Sequence, residues 1–199
     1  MLTQFYDDLE TRTENERKKA ISKVLPVQIK NLQSLGGLKG IDSDIIDSVE
    51  ALKQLPVLRK SELTEMQQKK PPFGGLVRGT IEHIFQSPGP IYEPGKDTHD
   101  WWRFGRFLHA CGVGRSDIVQ NCFSYHLTPA GMMFENGAKA VGATILPAGT
   151  GQTELQVQAA FDVGASVYAG TPDYLNTILE KSSEMGLKLS YSKAVVSGG

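Results

Sequence analysis

The sequence predicts an α/β protein in which a helical N-terminal lead-in precedes a βαβ-type, largely parallel sheet. Apolar residues in the first third recur at spacings of three and four, which is the period of an amphipathic helix. After residue 75, short segments rich in β-branched residues alternate with helical segments of about ten residues or more. Strands separated by helical crossovers pair in parallel and are covered by their helices.

The helical lead-in rests on one apolar stripe and on helix-capping residues. The stripe is formed by Ile21, Val24, Leu25, Ile29 and Leu32, and Gly36-Gly37 ends the helix that carries it. We predict a second short helix over residues 43–52, capped by Asp42 or Ser43. We predict a third over residues 62–68, capped by Ser61. Pro71-Pro72 and Gly74-Gly75 close a helical region of residues 1–75.

The remaining residues, 76–199, read as an α/β subdomain. The predicted strands span residues 80–86, 118–123, 143–146, 166–169 and 193–196, and the predicted helices span residues 98–110, 129–141, 153–161 and 172–185. The last strand runs directly into Ser197-Gly198-Gly199, and a glycine-rich turn after a strand is a common place for a ligand-binding loop. We therefore expect this chain to be a piece of a longer protein, truncated at its C-terminus.

Composition excludes several classes of function. The 199 residues carry 21 basic and 22 acidic side chains, a net charge of −1, so no basic surface is expected to bind nucleic acid. No stretch of about 18 apolar residues is present, and the N-terminus lacks the apolar region of a signal peptide. Two cysteines cannot form a disulfide framework. We expect a cytoplasmic protein that binds neither nucleic acid nor membrane.

Five motifs in order resemble the phenylacetate-CoA ligase family of the adenylate-forming (AMP-binding) superfamily, over about residues 48–199. Residues 55–63 carry its L-P-V-x-x-K-x-x-L pattern, and GATILP at 142–147 precedes a match at Gly149-Thr150-Gly151-Gln152-Thr153-Glu154. The match continues through Gln156-Val157-Gln158. Thr171-Pro172-x-Tyr174-Leu175 and the terminal Val-Val-Ser-Gly-Gly are similar to two further family motifs.

This resemblance implies a fold, an activity and a set of binding residues. The chain would be the N-terminal portion of an adenylate-forming enzyme that uses ATP, Mg²⁺ and CoA to convert a small carboxylic acid, an aryl acid above all, into its CoA thioester. The implied nucleotide-binding residues are Ser87, Gly89, Ser197, Gly198 and Gly199, and the implied substrate-binding residues are Phe123, Tyr125 and His126. Family catalytic residues would lie beyond Gly199, so we assign none here. We therefore expect this chain alone to be inactive.

The sequence departs from the family at the predicted phosphate loop. Residues 87–90 read Ser-Pro-Gly-Pro, without the threonine pair and lysine that the family places there. Two prolines remove N–H donors that a phosphate requires, and Glu93 adds charge of the wrong sign. The alternative interpretation is a tight turn between two strands. A repurposed, non-catalytic relative that binds a partner, and an adenylate-forming ligase with an acceptor other than CoA, both stay open.

Three further alternatives concern single residues. Phe123 is a core residue and Tyr125 caps a loop if the acyl pocket lies elsewhere. His109, Cys111, Cys122 and His126 are zinc-ligand types, but their spacing is not that of a zinc finger, so we predict no metal site. Trp102 would lie away from the apolar stripe of its helix, which leaves open a contact with a further domain or a homodimer.

Overall fold

The computed structural model describes residues 4–197. These residues form two compact units, one of residues 7–94 and one of residues 95–197 together with residues 4–6. The predicted division into residues 1–75 and 76–199 follows the type of secondary structure and stays a prediction. The boundary between the two compact units lies later in the sequence, between Pro94 and Gly95, because the first two strands belong to the helical unit.

In the unit of residues 7–94, the long first helix is present as predicted, but Ile29 is the buried member of the predicted stripe, and Val24 and Leu32 are exposed. A capping box starts this helix, because the Thr13 hydroxyl accepts from the Glu16 N–H while the Glu16 carboxylate accepts from the Thr13 N–H. Ile29 on the stripe packs with Ile46 and Ala51 in a small apolar cluster. The helices are α1 (Glu14–Ser34) and α2 (Lys60–Lys69), and 3-10 turns span Asp8–Thr11, Ser43–Ile45 and Ala51–Gln54.

Two predictions in this unit were wrong in detail. Residues 43–52 form two 3-10 turns instead of one helix, because Ile46 leaves helical backbone and is fully buried in the cluster. Ser61 does not cap α2. That helix begins at Lys60, and the Glu62 carboxylate accepts from the N–H of Arg59 at 2.9 Å.

A β-hairpin completes the same unit. Strands β1 (His83–Ser87) and β2 (Ile91–Gly95) pair, and residues 88–90 turn between them, so the predicted tight turn is present. Gln67 of α2 holds β2, since its side-chain amide donates to the Tyr92 carbonyl and accepts from the Tyr92 N–H, both at 2.8 Å. This amide bonds β2 as a neighbouring strand would.

The unit of residues 95–197 contains the predicted parallel sheet, and the predicted fold class is confirmed. Its strand order is β4-β3-β5-β6, and each neighbouring pair is parallel. The strands are β3 (Ile118–Asn121), β4 (Thr144–Leu146), β5 (Val167–Gly170) and β6 (Lys193–Val196). The helices are α3 (Phe104–Ala110), α4 (Ala130–Ala140), α5 (Thr153–Val163) and α6 (Pro172–Glu184). The helix predicted from residue 98 begins only at Phe104, because Arg103 adopts left-handed backbone, φ 60°.

Alternation along the strands distributes the core over both faces of this sheet. Val167 and Ala169 face a cluster that includes Leu108 of α3 and Phe134 of α4. Tyr168, between them, faces the opposite cluster with Val157 of α5 and Ile178 of α6. Helices therefore cover both faces of the sheet. Polar groups collect at the amino ends and at the carboxyl ends of the strands, which we call the amino edge and the carboxyl edge.

At the amino edge, one buried carboxylate joins three parts of this unit. Asp117 precedes β3 and is 5% exposed. It accepts from the Gly114 N–H at 2.9 Å, from the Ser166 hydroxyl at 2.9 Å, and from the Lys193 ammonium at 2.8 and 3.0 Å. Burial by itself raises the pKa of Asp117, but the bonds from Lys193, Gly114 and Ser166 outweigh it and hold that pKa below its ordinary value.

Candidate functional site

The carboxyl edge of the parallel sheet gathers the loops that follow β3, β4 and β5. Asn121, the last residue of β3, is fully buried. Its side-chain amide donates to the Tyr125 hydroxyl at 2.8 Å and to the Gly131 carbonyl at 2.7 Å. Its own carbonyl accepts from the Gly149 N–H at 2.9 Å. One asparagine thus links the loop after β3, the start of α4 and the loop after β4.

The three predicted substrate-binding residues lie in different environments. Phe123 stacks on Phe134, with ring centroids 4.1 Å apart, and packs against the core cluster under α3 and α4. Tyr125 is half-buried beside Gly131 and Gly149. His126 is exposed, and its N–H donates to the Ser124 hydroxyl at 3.1 Å. The substrate-binding role of all three stays a prediction, and the geometry favours Tyr125 because it faces the loop after β4.

The surroundings of Tyr125 keep its phenol protonated and uncharged. Burial, and next the nearby Glu135 carboxylate, raise the pKa of its phenol well above the ordinary value. The Asn121 amide opposes this shift by donating to the phenol oxygen. The ring sits where a methyl group on Gly131 would lie 2.8 Å from it. Tyr125 therefore presents an uncharged, closely packed aromatic surface at neutral pH.

A buried polar chain supports the glycine-rich loop after β4. The Gln156 side-chain amide of α5 donates to the carbonyls of Ala148 at 3.4 Å, Gly149 at 3.1 Å and Gly151 at 2.7 Å. Its oxygen accepts from Gln120 at 3.1 Å and from the Cys122 thiol at 3.3 Å. Tyr191 donates in turn to Gln120. The loop is thus bonded to the interior of the sheet.

Sequence reasoning missed the residues that organise this edge. Gln120 and Asn121 were read as part of a buried strand, and Gln156 only as continuing a motif. Two adjacent amides inside an apolar strand are the signal that could have found them, because buried polar side chains need partners. Helix α5 begins at Thr153 without a side-chain cap. Gln152, at φ 49°, holds the cap position without a side-chain hydrogen bond.

Of the predicted nucleotide-binding residues, Ser87, Gly89 and Ser197 lie among the described residues. The Ser87 hydroxyl donates to the Glu93 carboxylate at 2.5 Å, and Gly89 is exposed in the turn between two prolines. The Ser197 N–H donates to the Gly170 carbonyl at 3.2 Å. Gly198 and Gly199 lie outside the described residues. Because the Ser87 hydroxyl donates to Glu93, it is not free to donate to a phosphate. The nucleotide-binding role of this turn stays a prediction.

Residues 4–197 contain neither a cluster of metal-ligand side chains nor a membrane-spanning helix. Within that range, no three His, Cys, Asp or Glu side chains are grouped to hold a metal ion. The same range has no helix that is both long and apolar enough to cross a membrane.

The chain is similar in sequence to phenylacetate-coenzyme A ligases, although no protein-family model matches it. It is 28% identical to the ligase of Aromatoleum evansii over 158 residues, which cover 75% of this chain and 35% of the relative. It is also 28% identical to the Thermus thermophilus ligase over 169 residues, which cover 79% and 37% of the two chains. The chain thus spans about a third of the length of the curated relatives it matches.

Solved structures share the fold. A 2-hydroxyisobutyryl-CoA ligase in the postadenylation state, in complex with 2-HIB-AMP, superposes with a TM-score of 0.82 at 23% identity, covering 93% of this chain and 43% of that one. The same ligase in complex with 2-HIB-AMP and CoA gives a TM-score of 0.77 and covers 89% and 42%. The predicted resemblance is therefore confirmed: the chain is similar to phenylacetate-CoA ligases over about three-quarters of its length, and it has the fold of adenylate-forming CoA ligases.

Proposed function

We propose that the complete protein is an acid–thiol ligase that activates a carboxylic acid with ATP as an acyl-adenylate and transfers the acyl group to CoA. The observation that carries the proposal is the similarity to four phenylacetate-coenzyme A ligases over about 75% of the chain. Mg²⁺ would accompany the ATP, and an aryl acid is the substrate class that the relatives' name suggests.

The carboxyl edge supports this proposal physically. In open α/β sheets, ligands bind outside the carboxyl ends of the strands. Here Tyr125 and the loop after β4 meet at that edge, and Asn121 bonds to both. A flat ring contacts aromatic surfaces with favourable stacking or edge geometry beyond simple burial. Tyr125 would therefore orient an aryl acid, while groups elsewhere in the complete protein would hold the phosphates.

The chemistry makes positioning the main task of such a site. A carboxylate is a poor electrophile, and its oxygen must be held in line with the α-phosphate while negative charge develops. None of the residues assigned here supplies that charge stabilisation. We therefore assign Tyr125 to binding and no residue to catalysis.

The test is acid-dependent pyrophosphate release, followed by acyl-CoA formation, measured on the complete protein with phenylacetate, benzoate and acetate. We expect release to require both ATP and one of these acids, and thioester to form only when CoA is added. We expect the 199-residue chain alone to release none. Pyrophosphate release by that chain would mean that the catalytic groups lie within it.

A second candidate function rests on the bond between Ser87 and Glu93. In this candidate, the protein is a repurposed relative that does not hold ATP at the hairpin turn. The 2.5 Å contact commits the serine hydroxyl to a carboxylate, and the neighbouring prolines donate no N–H. Arg78, which precedes the hairpin in sequence, donates to the carbonyl of Ser34. Absence of ATP binding by the complete protein would favour this candidate over the ligase.

A further inference from the structure

Gln156 is the buried side chain that bonds the loop of residues 148–152 at three carbonyls. Its amide nitrogen reaches three loop carbonyls, at 2.7 to 3.4 Å. Gln156 is 5% exposed, and its oxygen is occupied by Gln120 and Cys122. Both ends of this amide are therefore satisfied, which fixes its orientation and leaves it no alternative partner.

The loop needs such support because of its backbone. Gly149, Gly151 and Gln152 have φ values of 69°, 80° and 49°. Gln152 is not a glycine, and left-handed backbone in such a residue persists only where surrounding contacts hold it. A second bond, from the Tyr174 hydroxyl to the Gly151 carbonyl at 3.0 Å, helps to hold the same segment.

The held loop faces Tyr125. A methyl group added to Gly149 would lie 4.0 Å from the Tyr125 ring, which is ordinary van der Waals distance. Gly131 packs more tightly against the same ring, because an added methyl there would lie within 2.9 Å of it. The position of the loop therefore sets how much space remains beside the tyrosine.

We propose that Gln156 is a positioning residue that fixes the loop of residues 148–152 against Tyr125 and thereby sets the size of acid that the carboxyl edge accepts. This inference rests on the proposed ligase function. Gln156 does not touch the acid. It acts through the loop of residues 148–152. Its loss therefore makes that loop less rigid but removes no group that contacts the reacting atoms.

The test compares two variants with a matched control in the complete protein. Gln156→Leu removes the amide, and Gln156→Glu keeps its shape and acceptor but loses the donor to the loop. Gln158→Leu is the control, because Gln158 lies on the same helix but is exposed, and its amide bonds Asp162. Hydrogen exchange at the Gly149 N–H, which donates to Asn121, reports how firmly the loop is held.

Acid preference is measured with phenylacetate and 3-phenylpropionate, which differ by one methylene. A rigid apolar pocket distinguishes such a pair by about 10- to 200-fold in kcat/KM. In both Gln156 variants we expect that ratio to fall at least about fivefold, KM for the preferred acid to rise about tenfold, and kcat to stay within about twofold. We expect Gly149 to exchange about tenfold faster. Gln158→Leu should change none of these quantities.

The outcomes separate the two proposals. Unchanged Gly149 exchange in both Gln156 variants would overturn the positioning role. Faster exchange with unchanged KM and unchanged acid preference would overturn the link between the loop and the acid. A wild-type protein that releases no pyrophosphate with these two acids, benzoate or acetate would overturn the proposed ligase function, and Gly149 exchange would then decide the positioning role by itself.

Discussion

Removal of the Asp117 carboxylate should destabilise the unit of residues 95–197 more than any surface charge substitution. Asp117 accepts from the backbone before β3, from Ser166 before β5 and from Lys193 at the start of β6. It therefore ties together the amino ends of three strands of the parallel sheet. Asp117→Ala leaves the Lys193 ammonium, the Ser166 hydroxyl and the Gly114 N–H without this acceptor.

The expected loss of unfolding free energy in Asp117→Ala follows from the burial and the charge of this ion pair. The side chains of Asp117 and Lys193 are 7% and 32% exposed. Breaking a buried ion pair by removing one partner costs about 3–5 kcal/mol, whereas an exposed pair contributes about 0–1 kcal/mol. Because Lys193 is partly solvated, we expect Asp117→Ala to lower the free energy of unfolding by about 3 kcal/mol, the lower end of the buried range.

Urea unfolding monitored by tryptophan fluorescence measures this change. Both tryptophans, Trp101 and Trp102, lie in the unit that contains Asp117. The control is Glu154→Gln, because Glu154 pairs with Lys181 at 3.7 Å and is 77% exposed. We expect that control to change stability by no more than about 0.5 kcal/mol. Asp117→Ala and Glu154→Gln losing similar stability would refute the reasoning.

The same carboxylate makes the stability of the protein depend on pH. The folded-state pKa of Asp117 is lowered, so its ionisation contributes stability that is fully present above the unfolded-state pKa of about 3.9. That contribution is lost as the pH falls through the folded-state pKa. The difference in stability between wild type and Asp117→Asn, which does not titrate, should therefore narrow below about pH 4. A constant difference from pH 7 to pH 3 would mean that the charge of Asp117 contributes nothing.

Three further predictions concern the candidate site and its surroundings. Glu93→Gln removes the negative charge beside Ser87. If the hairpin turn holds phosphate, calorimetry should show ATP binding about fivefold tighter, roughly 1 kcal/mol. The control is Glu50→Gln, which is exposed in the same unit, and unchanged ATP affinity of Glu93→Gln would place the phosphates elsewhere. Gly131→Ala brings a methyl within 2.7 Å of the Ser124 carbonyl oxygen. The free energy of unfolding of this variant in urea should therefore fall by about 1–3 kcal/mol, although alanine has the better helix propensity. An unchanged free energy of unfolding would mean that the backbone around Ser124 moves to accommodate the methyl. Burial raises the pKa of the Cys122 thiol to about 12, so mass spectrometry should find it unmodified by iodoacetamide at pH 8 while exposed Cys111 reacts; equal labelling would contradict its burial.

Local pattern was enough to predict much of the secondary structure. The stripe from Ile21 to Leu32 forms part of α1, and the predicted strand at residues 193–196 matches β6 as Lys193–Val196. Periodicity succeeds there because a helix or strand that buries one face must repeat apolar residues at its own period. It failed at residues 43–52, where tertiary burial of Ile46 outweighed a helical pattern.

The candidate site was only half visible in the sequence. The resemblance to the family indicated Tyr125 and the loop after β4, because a resemblance is carried by contiguous runs of residues. The sequence did not indicate that Asn121 and Gln156 hold these segments in place. Asn121 bonds Tyr125, Gly131 of α4 and Gly149 of the loop after β4. Gln156 bonds that loop and Gln120 of β3, so these partners come from different strands, helices and loops. Polar side chains inside an apolar segment signal that partners exist, but they do not identify them.

The sequence by itself determined the fold class, the alternation of strands with helices, and the resemblance to phenylacetate-CoA ligases, because these depend on local period and on contiguous motifs. The tertiary structure alone decided that Ser87 bonds to Glu93, that Phe123 packs on Phe134, and that Asp117 pairs with Lys193. Each of these contacts depends on how the chain folds back in three dimensions. A carboxylate six residues along a hairpin, or an ammonium 76 residues away, becomes a partner only when the strands between them are in register.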